Sequence, residues 1–406
     1  MKPTVRRLAA VLPAALLTAG LPLAGGPAAA GDGASPGGGV LRLAPEATAV
    51  PGSWIVVLRE DAEKPGRGGA LELLDTVGGS LGQVYDSALP GFTAVMSEEQ
   101  ARSLADDPAV AYVEQNTRIT TQDTQESPPS WGVDRVDQRA LPLDDRYTYD
   151  STGAGVTAYV IDTGIRTSHQ DFGGRARSGY DFVDDDAVAQ DCHGHGTHVA
   201  GTIGGTGHGV AKGVSLVGVR VLDCAGSGTT ADVIAGVDWV TENATGPAVA
   251  NMSLGGGVQQ ALDDAVRRSI ASGVTYATAA GNGNILGLPQ NACHTSPARV
   301  EEALTVGATD ASDRRASFSN YGSCLDLFAP GVDIVSASAG GDTATDTLSG
   351  TSMATPHVAG GAARYLSEHP GATPAQVRDA VVGDATEGAV GNPAYGSPNL
   401  LLHTGS

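Results

Sequence analysis

Val156-Thr157-Ala158-Tyr159-Val160-Ile161-Asp162-Thr163-Gly164 is the stretch on which the fold turns. Apolar character runs unbroken along Val156–Ile161, where a strand with one wet face would alternate. A strand buried on both faces reads this way, and such strands belong to parallel sheets covered by helices. The same theme recurs at Leu216–Leu222, Ala248–Leu254, Val274–Ala280 and Leu304–Ala308. Helical patterns lie between. Asp232–Val240 is apolar at 233, 234, 237 and 240, and Gln259–Ala271 carries Leu262, Ala265, Val266 and Ile270 with Gly273 as a stop. Strands and helices in alternation from Trp131 onward predict an α/β fold, a mostly parallel sheet with helices on both faces. Functional side chains then belong at the carboxyl ends of the strands.

Working outward, Asp162 closes its strand, where a buried carboxylate requires a partner. A histidine is an economical one, because the carboxylate fixes its tautomer and stabilises its charged form. Histidines cluster in His193-Gly194-His195-Gly196-Thr197-His198. A third segment, Gly350-Thr351-Ser352-Met353-Ala354-Thr355-Pro356, opens a helical pattern through Val358, Ala359, Ala362, Ala363 and Leu366. Pro356 is acceptable if it falls near the first turn. A serine at a helix start lies beside free backbone N–H groups, which suits a nucleophile whose product is an oxyanion. Taken singly each segment has a plainer reading: a turn, a loop histidine, an N-cap.

Upstream the chain changes character. Lys2, Arg6 and Arg7, an apolar run from Leu8 to about Leu23, and small residues ending at Ala30 make 1–30 a signal peptide. Pro13 and Pro22 interrupt the run, which argues against a membrane anchor, so no membrane association is expected after export. Residues 31–50, rich in Gly, Ala and Pro, read as a linker. From 51 to 121 the pattern is a small α+β unit. Strands are expected at Trp54–Leu58, Gly91–Met96 and Val110–Glu114, with helices at Ala70–Val77 and after Ser97, whose partner Gln100 suggests a capping box. The polar segment from Thr120 to Ser130 is an exposed joint of the kind proteases cut. The net charge of -21 excludes the basic footprint of nucleic-acid binding. Four cysteines in an exported chain favour disulfides, with three pairings open.

The order Asp162, His195, Ser352 changes the weight of the three segments. With their flanking residues they resemble the subtilisin-like serine peptidases, in the branch of proteinase K and aqualysin, from about Trp131 to Leu402. The Asp…His…Ser chain order is itself a known variant of the catalytic triad. The resemblance implies a secreted endopeptidase of broad specificity, with a peptidase domain over 124–402. It makes 51–121 an inhibitor-type, ferredoxin-like propeptide, which assists folding and blocks the site until removed. It assigns Asp162, His195 and Ser352 as the triad and Asn282 as the oxyanion-hole side chain. It places Gly226, Ser227 and Gly228 on one substrate-binding strand and Ser253, Leu254 and Gly255 on the other. Ala279, Ala280 and Gly281 then border the pocket for the residue before the cut. The cysteine spacing matches the branch and implies Cys192–Cys224 and Cys293–Cys324. Structural calcium is implied at Asp326 with the carbonyls of Glu301 and Ala303, and at Asp134, Asp137 and Gln138; oxygen donors suit that ion. No catalytic cofactor is implied. Protein or peptide substrates are the expected partners, with the propeptide as intramolecular inhibitor and a monomer as the working form.

One position departs from the family pattern. His193 stands where a small or amide residue is more usual, and a solvated loop histidine is the plain reading. Two rival functions remain. A metallohydrolase would use His193, His195 and His198, although no H-E-x-x-H pattern accompanies them. A non-catalytic binding protein on the same fold would be expected to lack one of the triad residues or Asn282.

Overall fold

The computed structural model describes residues 40–44, 49–59, 66–117, 123–284 and 286–405. The expected signal peptide lies outside them. The chain forms two compact units, Met1–Arg118 and Ile119–Ser406.

In the first unit β1 (Val40–Arg42), β2 (Ala49–Leu58), α1 (Arg67–Val77), β3 (Ser80–Tyr85), β4 (Gly91–Val95), α2 (Glu98–Ala105) and β5 (Val110–Thr117) follow one another. The sheet order is β1-β5-β2-β4-β3. The capping box forms as the sequence suggests, with Ser97 and Gln100 each accepting the other's backbone N–H. Trp54, Val56, Phe92, Leu104 and Val113 fill the core under the two helices. Two corrections arise. Val40–Arg42, read as linker, pairs in parallel with Tyr112–Glu114, so this stretch is part of the unit. Ser80–Tyr85 is a strand that its polar, partly exposed sequence concealed.

The second unit is built on β6 (Thr157–Asp162), β7 (Ala176–Asp181), β8 (Ser215–Arg220), β9 (Ala248–Met252), β10 (Thr275–Ala279), β11 (Leu304–Thr309), β12 (Leu327–Pro330), β13 (Thr386–Glu387) and β14 (Leu400–Leu401). Their order is β13-β14-β12-β11-β10-β9-β6-β8-β7, and every pairing is parallel except β13 with β14. Alternate residues of β6 serve opposite faces, as the pleat requires. Ala158 and Val160 join the core under α3 (His195–Gly204) and α6 (Thr351–Glu368). Tyr159 and Ile161 join the core under α4 (Thr230–Asn243) and α5 (Gln260–Ala271). A final helix, α7, spans Pro374–Asp384. From β6 the chain builds outward through β7 and β8, then crosses to β9 on β6's other side. The carboxyl end of β6, at Asp162, is therefore beside the switch point where open α/β sheets hold their ligands.

Pro356 is not in the first turn of α6, as expected, but six residues in. Proline has no N–H for the carbonyl four residues back and its ring crowds that carbonyl. That carbonyl belongs to Ser352. It accepts instead from Ser253 Oγ at 2.8 Å, which compensates the missing bond.

Candidate active site

Asp162 is fully buried, and its Oδ1 lies 2.7 Å from His195 Nδ1. Burial alone pushes the His195 imidazolium down, but the Asp162 carboxylate outweighs it, with Asp191 adding, and the pKa ends above its ordinary value. The same Oδ1 accepts from Thr163 N at 2.7 Å.

His195 is the first residue of α3, and a helix leaves its leading N–H groups without partners. Side chains supply them here. Gly196 N donates to Thr163 Oγ1 at 2.9 Å and Thr197 N to Asp191 Oδ2 at 2.9 Å. Asp191 Oδ1 accepts from His193 N, Gly194 N and Thr163 Oγ1. Asp191 thus ties the loop before His195 to the strand end that carries Asp162, a role the sequence reading missed. Its one signal was a carboxylate four residues before a histidine at a helix start.

Ser352 is the second residue of α6, which packs against α3. Its Oγ donates to Ser253 O at 3.0 Å, while Ser253 Oγ donates to Ser352 O and accepts from Asn251 Nδ2 at 2.9 Å. No hydrogen bond joins Ser352 Oγ to His195 here; catalytic bonds of this kind tighten when substrate arrives. Asn282 Oδ1 accepts from Thr351 N at 2.8 Å and Thr351 Oγ1 at 2.9 Å. Both donors hold the oxygen end of the amide and leave the Nδ2 donors for another acceptor.

Gly226, Ser227, Gly228, Ser253, Leu254 and Gly255 line one cavity of about 480 Å³ together with His193 and His195. Ala279, Gly281, Asn282 and Ser352 line a second, of about 440 Å³. Ala280 does not. It is one step along the chain from Ala279, so its side chain turns the other way, into a core with Ala292 and Phe328. Cys192 is bonded to Cys224 and Cys293 to Cys324. The first bridge fastens the His195 loop to the segment that carries Gly226.

The histidine cluster does not converge. His198 is buried with Nε2 on Ile334 O at 3.0 Å, and no group of three or more His, Cys, Asp or Glu side chains among the described residues is gathered around a common point. For calcium the two expected sites part company. At the first, Asp326 Oδ2 accepts from Thr305 N and its Oδ1 meets the Arg378 guanidinium at 2.5 Å. The Arg378 guanidinium already pairs with that carboxylate, although burial still pushes Asp326 up to about 6, so Asp326 with Glu301 and Ala303 fits an ion pair better than calcium. At the second, Asp134 Oδ1, Asp137 Oδ1 and Gln138 Oε1 are all buried without hydrogen-bond partners. Burial pushes the Asp137 carboxyl up to about 6, with Asp144 and Asp134 adding. Three buried oxygens without partners, among acidic neighbours, are donors of the kind that suits a hard cation.

Residues 153–399 match the subtilase family model, and 53–122 match that of the peptidase inhibitor I9 family. The chain belongs to the subtilase family. It is 54% identical to the extracellular serine proteinase of Thermus sp. (strain Rt41A) over 380 residues, 89% of this chain and 91% of that one. It is 50% identical to alkaline serine exoprotease A of Vibrio alginolyticus over 378 residues, 90% of this chain and 69% of that one. A crystal structure of a cold adapted subtilisin-like serine proteinase superposes with a TM-score of 0.65 at 59% identity, covering 68% of this chain and 98% of that one. This subtilase is thus an extracellular serine endopeptidase made with an I9 propeptide whose removal activates it. Among the described residues no helix is long and apolar enough to cross a membrane.

Proposed function

We propose that Asp162, His195 and Ser352 are the triad of this endopeptidase and that Asn282 completes its oxyanion hole. The 2.7 Å bond between Asp162 and His195 Nδ1 carries the reading, because it leaves Nε2 as the acceptor for the serine proton. Substrate enters as an extended strand between Gly226–Gly228 and Ser253–Gly255, held by its backbone, which makes few demands on side chains and accounts for broad specificity. The residue before the cut fills the cavity bordered by Ala279 and Gly281. Ser352 Oγ leaves Ser253 O, passes its proton to His195 Nε2 and attacks the carbonyl carbon. The oxyanion receives hydrogen bonds from Asn282 Nδ2 and Ser352 N. His195 then donates the proton to the leaving amine, and water repeats the sequence to release the acyl group. Asp162 keeps the imidazole in place and stabilises its charged form.

Residues 1–30 direct export and are removed in the course of it, and maturation follows cleavage near residues 120–125 by the enzyme itself, which then works as a monomer. Asp134, Asp137 and Gln138 hold a structural calcium ion, whose charge neutralises the buried carboxylates. Ser352→Ala expressed in a protease-free host tests the assignment: the precursor accumulates uncleaved. Normal maturation of that variant would sink self-processing. Activity that survives a serine-directed covalent reagent but not a zinc-selective chelator would instead revive the metallohydrolase.

A further inference from the structure

Three side chains serve the first three N–H groups of α3, and they differ in chemistry. Thr163 Oγ1 accepts from Gly196 and Asp191 Oδ2 from Thr197; the third acceptor is His193 Nδ1, 3.3 Å from His195 N. Gly194, at the N-cap, is in the left-handed region at φ 106° and has no side chain to offer. A hydroxyl accepts at any pH and a carboxylate accepts while ionised. An imidazole nitrogen accepts only in the neutral ring, because the charged ring bears a proton on both nitrogens. The ring of His193 is exposed to solvent, with two close neighbours. It stands edge-on to the His195 ring with centroids 6.3 Å apart. On its other side Gly226, at φ 74°, brings backbone so close that a Cβ there would lie 2.9 Å from His193 Nε2.

We propose that His193 is a positioning residue for His195: neutral, it caps the helix that carries the base, and its protonation disarms the site separately from protonation of His195 itself. Two consequences follow from one proton. An N–H on Nδ1 faces the N–H of His195, so the cap is lost where α3 begins. The new positive charge also stands beside an imidazole that must itself become positive in the transition state. The charged and titratable groups facing His193 come from four segments. Asp191 belongs to its own loop, with Oδ1 spent on the N–H groups of His193 and Gly194. Asp223, on the segment before Gly226, is held low chiefly by the N–H groups of Ser227 and Ala225. Asp346 lines the cavity of about 390 Å³ on the far side, with His193 and His195. Arg220, beside the Cys192–Cys224 bridge, is engaged by Asp181 and Asp184.

The inference rests on His195 as general base, and one set of measurements separates the two. The pH dependence of kcat/KM is recorded on an uncharged peptide substrate for the mature enzyme, His193→Asn, His193→Leu and His195→Ala. Asparagine offers an acceptor of similar reach that does not titrate; leucine offers none. In the parent enzyme the acid limb requires two protonations, and in His193→Asn only one. His193→Leu has an alkaline-plateau kcat lower by about 5-fold, the worth of one hydrogen bond, with KM little changed. His193→Asn recovers most of that plateau. A two-proton limb retained in His193→Asn, or a one-proton limb in the parent, overturns the inference. If His193→Leu does not fold, the asparagine profile still decides. Full activity in His195→Ala would instead remove the general-base reading on which it rests.

Discussion

Replacing Ser253 by alanine tests how the nucleophile's backbone is held. Pro356 cannot donate to Ser352 O, and Ser253 Oγ takes that place at 2.8 Å. Ser253→Ala leaves a buried carbonyl unpaired, at a cost of about 1–3 kcal/mol, and takes an acceptor from Asn251 Nδ2. For a domain of this size each kcal/mol corresponds to roughly 2–4 °C in Tm. The expected loss is therefore about 2–12 °C, read by thermal unfolding of mature enzyme blocked at Ser352 to prevent autolysis. Pro356→Ala restores the backbone N–H that helical geometry aims at Ser352 O. In that background Ser253→Ala should cost less by about 1 kcal/mol, because only the Asn251 contact is then lost. Equal losses in the two backgrounds, within about 0.4 kcal/mol, would refute the idea that Ser253 stands in for the missing helical bond.

Four further outcomes are expected. Asn282→Ala lowers kcat by about 10²–10³ with KM nearly unchanged, since its amide serves the developing oxyanion; a KM effect alone counts against the assignment. His357 is buried, and burial pulls its pKa down to about 4, so its contribution to stability is present above its unfolded pKa near 6.5 and is lost as pH falls toward 4, by about 3 kcal/mol. Urea titrations at pH 7 and pH 4 should therefore show a flatter pH dependence in His357→Gln, and an unchanged slope contradicts it. Calcium at about a hundredfold over its Kd should stabilise the fold by about 2.7 kcal/mol, an effect missing in Asp137→Ala. Arg378→Ala should destabilise by about 1–3 kcal/mol, discounted because the guanidinium is 31% exposed, and should leave Asp326 free to bind one more calcium ion by calorimetry. Calcium binding lost in Asp326→Asn but unchanged in Arg378→Ala would reverse the present reading of that site.

Local features carried most of what was legible beforehand. The strands of the large sheet announced themselves because burial on both faces leaves continuous apolar runs, and Ser97 with Gln100 marked a helix start that forms as written. What escaped depends on residues far apart in sequence. Ser253 and Ser352 are 99 positions apart, and only the closed sheet turns a proline's missing donor into a serine's task. Arg378 and Asp326, 52 positions apart, meet across the start of α7, so a carboxylate that resembled a calcium ligand is already paired with a guanidinium. Ala280 was misplaced by one step of the pleat. Ser80–Tyr85 was missed because strands at the edge of a small sheet have little apolar pattern to show.

The two reacting side chains both begin helices, and the consequences are opposite. At α6 the N–H of Ser352 and the positive end of the helix favour the negative oxyanion that forms beside Ser352. At α3 the same positive end disfavours the imidazolium that His195 must become, and burial disfavours it further. A histidine placed there needs more than one carboxylate. Asp162 meets the ring directly, while Asp191, only 5% exposed, puts both oxygens on the first turn of α3 and the strand end. Together they carry the His195 pKa above its ordinary value in spite of the helix and the burial. His193 fits the same account: it supplies the last missing acceptor at that helix start without adding negative charge, and an imidazole can do so only while it stays neutral.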